Sequence, residues 1–511
     1  MNTGYLVTRA ARYFPGRTAF VIDGRSVSFR ELNARVNRLA NALLSLGLAK
    51  GDRVALLFQN SLAYLESHLA LYKAGLVWVR LNSRLTPADL KGMMDDSGAR
   101  ALLHGPGFLE TADRIASPGV LRIQQGEGPG PAYDAFLEQG SDGEPDVEVF
   151  PDDLSDLWYT SGTTGAPKGI MLTHRNILTC NQFLLSDVYD IAPGDAFLTA
   201  GALSHAGSVR ILPFITRGAT CHIHGRFDPD RILACVEKHG ITDLAVVPTM
   251  LIALMDHPGR PGRKLDSLKR ITYAGSPMPV ERIKEALEIF GPVLDQSYGQ
   301  AESIITITHL SREEHRTDGD PVREKRLAST GRDYPGVRIR IVDDHGGVLG
   351  ANEVGEVATL SDLVMRGYWN QPGKTREALR AGWLHTGDVG YLDDDGYLYL
   401  VDRKNDKIIT GGLNVYPKEV ETVIDSLPGV VESAVIGLPH ADFGEAVTAV
   451  VATGGKPAPG EAEILERLSA DLARFKQPKR VLFVDDLPRN AMGKVQKALL
   501  RERYAKLYSA A

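Results

Sequence analysis

Residues 159–169, Tyr-Thr-Ser-Gly-Thr-Thr-Gly-Ala-Pro-Lys-Gly, crowd hydroxyls, glycines and one lysine into a single short stretch. Gly162, Gly165 and Gly169 let backbone amides approach an anion closely. Thr160, Ser161, Thr163 and Thr164 offer hydroxyl donors to its oxygens, and Lys168 supplies charge. That is the chemistry of a polyphosphate grip. The spacing is not that of a Walker A loop, because Pro167 stands where the motif, counted from Gly162, needs its second glycine. A short apolar strand, 157–160, delivers the loop, which sets it apart from a flexible Ser/Gly surface loop.

Further residues able to do chemistry follow in order along the chain. They are Tyr298-Gly299-Gln300-Ala301-Glu302, Trp383-Leu384-His385-Thr386-Gly387-Asp388, Asp402-Arg403, Gly411-Gly412, and Pro488-Arg489-Asn490-Ala491-Met492-Gly493-Lys494. Taken alone, Lys494 reads as a surface lysine and Glu302 as an acid at a helix start. Taken together and in this order, with the loop at 160–169, they resemble the motifs of the adenylate-forming superfamily. That superfamily includes acyl-CoA synthetases, firefly luciferase and the adenylation domains of peptide synthetases. The similarity spans essentially the whole chain.

The resemblance implies an ATP-dependent acid–thiol ligase, which converts a carboxylic acid to its acyl-adenylate and passes the acyl group to coenzyme A. In that reading residues 160–165 and Lys168 grip the triphosphate, and Lys494 bridges the substrate carboxylate and the α-phosphate, where two anions must meet. Glu302 is the implied Mg2+ ligand, a hard carboxylate for a hard cation. Tyr298 packs on adenine, with Gly299, Gln300 and Ala301 beside it, and Gly275, Ser276 and Pro277 form a tight turn along the adenine and acyl pockets. Asp388 accepts from the ribose hydroxyls and Arg403 donates to the ribose. His205, a lone histidine in an apolar stretch, reads by itself as a core residue; by resemblance it is an aromatic gate beside the substrate carboxylate.

For the thiol half-reaction the family rotates a small domain about a hinge, so that Lys494 leaves and a thiol can approach. The hinge position is Asn405, where the family more often has Asp or Lys; Asn tolerates left-handed backbone. Gly411 and Gly412 would line the pantetheine tunnel, Phe443 would stack on the adenine of coenzyme A, and Phe475, Lys476, Lys479 and Arg480 form an aromatic and basic cluster suited to its phosphates.

The acyl pocket is expected around His205, Ala206, Gly207 and Ser303. The segment Ala202-Leu203-Ser204-His205 lacks the acidic anchor of amino-acid-activating relatives, so an α-amino acid is not expected. Small residues at 206–208 favour a fatty or aryl acid. Arg210 could read a second carboxylate, or could simply be an arginine on a helix. Two other functions stay open: loading of an acyl-carrier protein, and a non-catalytic acyl- or nucleotide-binding protein on the same scaffold.

These residues need a scaffold that holds loops at strand ends. With 511 residues, more than one domain is expected. Helix and strand signals alternate through the first hundred residues, beginning with a capping pattern at Ser28–Glu31, and imply α/β layers. Residues 104–151 read as loops. Strand–helix units resume to about residue 330, including a helix over 280–290. From 383 the texture changes to a hairpin around the solvated turn Asp393–Gly396, then to a compact α+β pattern. The expected fold is α/β: a large multi-layer N-terminal domain, 1–402, with a β-barrel-like subdomain implied by the resemblance, a hinge at 403–406, and a small mobile C-terminal α+β domain, 407–511.

Lys plus Arg number 58 against 64 Asp plus Glu, a net charge of −6, so no basic excess exists for nucleic acid. The most apolar stretch, 196–215, is interrupted by His205 and Arg210 and makes a poor membrane span. Cys180, Cys221 and Cys235 show no CxxC spacing, support neither a zinc site nor a disulfide framework, and read as buried thiols. No secretory signal is visible, and the cytoplasm is the expected location. Monomer and homodimer both stay open.

Overall fold

The computed structural model describes residues 2–125, 132–160, 167–455, 457–489 and 495–508. Four sheets carry these residues, of nine, seven, five and five strands. The chain divides into two compact units, Met1–Ile339 with Thr359–His385, and Arg340–Ala358 with Thr386–Ala511.

The first unit holds the nine-stranded and seven-stranded sheets. In the nine-stranded sheet six neighbouring strands run parallel, in the order Leu294–Tyr298, Arg270–Ala274, Asp243–Val246, Ala196–Thr199, Thr220–Ile223 and Thr18–Ile22. Antiparallel strands close both edges. In the seven-stranded sheet Leu154–Thr160 is parallel to Val77–Arg80 and antiparallel to Lys168–Thr173. Both sheets share one apolar core with the helix Leu62–Ala74, in which every residue is buried. Such a helix has no polar stripe to offer solvent, which is why its sequence lacks amphipathic periodicity.

The helix Phe29–Ser45 starts as its sequence predicts, with the Ser28 hydroxyl accepting from the Glu31 amide at 3.2 Å. Residues 104–151, expected as loops, contain the short elements Leu109–Ile115, Leu121–Gln124 and Tyr133–Leu137. Buried Ala112, Ile115, Ile123, Tyr133, Phe136 and Leu137 anchor them. Elements this short give no full period against a polar background, so composition misread them.

In the second unit the hairpin pairs Asp388 with Arg403 and Leu392 with Leu398, and its acidic tip is a solvated turn in which Asp393 accepts from the Asp395 and Tyr397 amides. The strands Glu432–His440 and Gly444–Ala452 follow, with Arg480–Val484 parallel to the latter. Alternate residues face opposite ways. Val435, Val447 and Val451 pack on the helices Pro417–Asp425 and Glu461–Asp471, while Ala434, Ile436 and Val450 pack on Lys497–Tyr504. The implied β-barrel-like subdomain is represented by a five-stranded sheet in the order Arg338–Val342, Gly355–Leu360, Trp383–Leu392, Leu379–Arg380, with Leu398–Arg403 on Trp383–Leu392. Among the described residues no helix is long and apolar enough to cross a membrane.

Candidate active site

Four adjacent parallel strands, ending at Thr199, Val246, Ala274 and Tyr298, direct their carboxyl ends the same way. The segments leaving them, 200–207, 275–277 and 299–303, therefore emerge along one sheet edge, where open α/β sheets bind ligands. Parallel pairing alone puts His205, Gly275–Pro277 and Tyr298–Ser303 there. Gly275 has φ +98°, a conformation side chains avoid. A Cβ on Gly299 would stand 2.3 Å from the backbone carbon of Ile305, so the chain doubles back too tightly for any other residue.

That doubling back places Ile304 and Ile305 at φ 45° and 57°. Two successive β-branched residues in the left-handed region are strained, at about 1–3 kcal/mol each. The strain is held by amides of Ile305 and Ile307 donating to the Gln300 and Tyr298 carbonyls at 2.9 and 2.8 Å, and by the complete burial of Ile304. The Ser303 hydroxyl, expected in the acyl pocket, is buried and donates to the Gln300 carbonyl at 3.2 Å. Its contact braces the loop.

Glu302 projects from this loop. The Tyr368 hydroxyl donates to Glu302 Oε1 at 3.0 Å, and the Met365 amide donates to the Glu302 carbonyl at 2.8 Å. Burial, and then the Glu302 carboxylate, raise the Tyr368 phenol above its ordinary pKa, so it stays a donor. Lys168 Nζ stands over the Tyr368 ring, 5.2 Å from its centroid. Lys168 is paired across the ladder with Thr160, and Ile170 with Tyr368. Tyr368 thus couples the strand that leaves the phosphate-loop candidate to the magnesium candidate. Sequence reading missed it, and no spacing signal could have found it, since the partners come from distant strands.

Residues Ser161, Gly162, Thr163, Thr164 and Gly165, together with Lys494 and the Asn405 side chain, lie outside the described residues. Around Glu302 no three His, Cys, Asp or Glu side chains among the described residues converge. Mg2+ commonly binds through one or two carboxylates plus substrate phosphates, so one oriented carboxylate fits it.

His205 is placed by residues the sequence reading did not single out. Its backbone, at φ −124° and ψ −138°, breaks the surrounding helical turn. The His205 carbonyl accepts from Arg80 Nη1 at 3.3 Å and from the Ser208 hydroxyl at 3.0 Å. Arg80 is buried, donates through Nε to Asp156 Oδ1 at 2.8 Å, and is sandwiched between Trp78 and Trp158, 4.0 and 4.3 Å from their ring centroids. The His205 ring meets Trp158 edge-on at 6.0 Å, with Ser204 Oγ 2.9 Å from Nδ1. Gly207 is small for a packing reason: a Cβ there would lie 3.0 Å from the carbonyl oxygens of Gly201 and Ala202. Arg210 is buried in the core, donating to the Tyr189 hydroxyl at 3.3 Å.

In the second unit Arg403 Nε lies 2.7 Å from Asp388 Oδ1, directly across the hairpin. The two ribose candidates are thus brought together. Just beyond, Asp402 accepts from the Lys418 amide at 2.8 Å, Lys404 pairs with Asp344 and Glu356 at 3.0 and 3.1 Å, and Asp406 with Arg501 at 2.9 Å. Gly411 and Gly412, at φ 57° and 81°, form the two-residue turn joining Ile408–Thr410 to Leu413–Val415. The Gly411 amide donates to the Phe443 carbonyl at 2.8 Å, and Lys479 Nζ stands 4.8 Å over the exposed Phe443 ring. Gly411, Phe443 and Lys479 are therefore neighbours. Lys476 is ion-paired with Glu419, and Phe475 packs against the core of this unit.

A family model described as AMP-binding enzyme matches residues 7–369, and one described as AMP-binding enzyme C-terminal domain matches residues 419–494. A feruloyl-CoA synthase of Amycolatopsis sp is 39% identical over 97% of this chain and 98% of its own. The medium/long-chain-fatty-acid–CoA ligase FadD8 of Mycobacterium tuberculosis is 34% identical over 98% of this chain and 90% of its own. Among solved structures, ATP-bound MatB from Rhodopseudomonas palustris has a TM-score of 0.90 at 34% identity, covering 100% of both chains.

Proposed function

The chain belongs to the AMP-binding enzyme family as an AMP-forming acyl-CoA synthetase, and from that premise we propose that its substrate is a fatty or aryl carboxylic acid. A carboxylate oxygen attacks the α-phosphorus of ATP, the bond to the pyrophosphate oxygen breaks, and an acyl-adenylate forms. The coenzyme A thiol then attacks the acyl carbonyl, a C–S bond replaces the C–O bond to AMP, and the thiol proton is released.

The observation that carries this reading is the series Lys168, Tyr368, Glu302, which holds a cation and an oriented carboxylate on one tyrosine. Residues 160–165 and Lys168 hold the polyphosphate; Glu302 would hold Mg2+, which would supply charge neutralisation for the departing pyrophosphate. Lys494 bridges the two reacting anions, since a cation there is stabilising only as they meet. Tyr298 and the turn 275–277 take adenine, while Asp388 and Arg403 take the ribose. His205, positioned by Arg80, borders the acyl carboxylate. Residues 403–406 serve as the hinge between a domain 1–402 and a domain 407–511, and Gly411, Gly412, Phe443, Phe475, Lys476 and Lys479 serve coenzyme A. The names of the two relatives, one acting on ferulate and one on fatty acids, support both acyl classes and choose neither.

The test is a panel of fatty and aryl acids with ATP, Mg2+ and coenzyme A, read by pyrophosphate release and by mass spectrometry of thioesters. One class is expected to give acyl-CoA. Lys494→Ala should lose pyrophosphate exchange by on the order of 10²–10³-fold while still transferring from supplied acyl-adenylate. Absence of pyrophosphate release with every acid would overturn the proposal. Thioester forming only on a carrier protein would replace its acceptor.

A further inference from the structure

Away from this site, three side chains of the first unit converge from two elements. His222 lies on the strand Thr220–Ile223; Cys235 and His239 lie four residues apart on the helix Pro229–His239, and so share a face. One donor atom from each lies within 4.8 Å of the others. Cys235 Sγ stands 3.8 Å from His222 Nδ1, and the His222 and His239 rings are 4.8 Å apart at their centroids. His222 and Cys235 are buried, whereas His239 is exposed.

We infer that His222, Cys235 and His239 bind a zinc ion, with water as the fourth ligand. Zn–N of about 2.0–2.1 Å and Zn–S of about 2.3 Å place tetrahedral donors roughly 3.3–3.6 Å apart. The buried His222–Cys235 edge is close to that already, and the exposed His239 ring has room to complete the set. Two imidazoles and one thiolate select zinc over magnesium or calcium, which prefer oxygen. Burial pushes the Cys235 thiol up to about 11, so coordination exchanges its proton for the ion and releases it to solvent.

The ion would clamp the end of the helix to the strand. Two residues beyond His222, the His224 carbonyl accepts from Asn60 Nδ2 at 3.0 Å. Asn60 also donates to the Gly201 carbonyl at 2.9 Å and accepts from the Leu203 amide at 3.0 Å. The clamp thus adjoins the brace of the segment that carries His205. The spacing of the cysteines concealed this site, because its ligands pair a strand residue with a helical Cys-x-x-x-His.

The test titrates the chelator-treated full chain with Co2+ in the absence of nucleotide. The expected result is one Co2+ per chain, a thiolate-to-cobalt charge-transfer band, displacement by Zn2+, and a thermal midpoint raised by Zn2+. The band excludes a carboxylate site such as Glu302. His239→Ala, an exposed change, should weaken binding by at least about tenfold, and Cys235→Ser should abolish the band. If Cys235→Ser does not fold, His239→Ala decides. Failure to bind Co2+ stoichiometrically, or a band unchanged in His239→Ala, overturns the assignment.

Discussion

Glu302 and Lys404 are both charged residues on irregular backbone, and they are secured by opposite means. Glu302 sits on a loop whose strained isoleucines are locked by backbone hydrogen bonds, and its carboxylate meets a buried phenol. Lys404 sits just beyond the hairpin strand that ends at Arg403, in a strap held by Asp344 and Glu356, with Asp406 paired to Arg501 and Asp402 accepting from the Lys418 amide. Partly exposed ion pairs are worth about 0–1 kcal/mol because water replaces either partner. Groups inside a buried lattice have no such substitute. The first arrangement suits a group that must be in place before charge develops; the second suits a segment proposed to change partners between half-reactions.

The largest effect should come from the buried side of this contrast. Arg80→Met leaves Asp156 without its cation in the core and is expected to destabilise the protein by about 3–5 kcal/mol, measured by denaturant unfolding. A loss under about 1 kcal/mol would show that the buried network is no more binding than the strap.

Acid should attack the same region. Burial, followed by the Arg80 charge, lowers His68 to about 3 against the Tyr64 carbonyl. Burial lowers His174 to about 4, with Asp153 opposing and Lys50 assisting, beside the Thr3 amide. Both folded pKa values lie below the unfolded value of about 6.5, so unfolding takes up protons. Their stabilisation is complete above pH 6.5 and is lost as pH falls towards 4, at about 1.4 kcal/mol per pH unit for each ring. Thermal midpoints across that window check it; a flat profile there counts against neutral buried imidazoles.

Tyr368→Phe removes one hydrogen bond to a carboxylate, worth about 1.5–3 kcal/mol. It should slow pyrophosphate exchange roughly ten- to a hundredfold and raise the Mg2+ concentration needed, while thioester formation from supplied acyl-adenylate stays near normal. An equal fall in both half-reactions would mean that Tyr368 serves only the fold.

The smallest change is expected from Lys404→Ala, a loss of about 1 kcal/mol or less with pyrophosphate exchange unchanged. Loss of exchange comparable to that of Tyr368→Phe would erase the distinction between the two regions.

The α/β class, the helix from 29, the helix over 280–290 and the acidic hairpin were legible because each rests on local rules: capping, periodicity and turn chemistry. The complete burial of the helix at 62–74 was not legible, since burial on all sides depends on two sheets closing over it. The expectation of loops over 104–151 failed for the complementary reason: a few buried anchors hold segments too short to show a period. At the candidate site, Glu302 and Lys168 could be singled out by motif, while Tyr368, Arg80 and Asp156 could not.

The order and chemistry of the motifs, and with them the family, were set by sequence alone, because phosphate-binding glycines, hydroxyls and charges are local requirements of the ligand. Only the tertiary structure decided what holds those residues in place. Parallel pairing aligned the strand ends, the turn at Ile304 and Ile305 aimed Glu302, and a tyrosine from a third strand joined it to Lys168. These couplings link residues far apart in the chain, and distance in sequence carries no record of contact until hydrophobic burial brings the layers together.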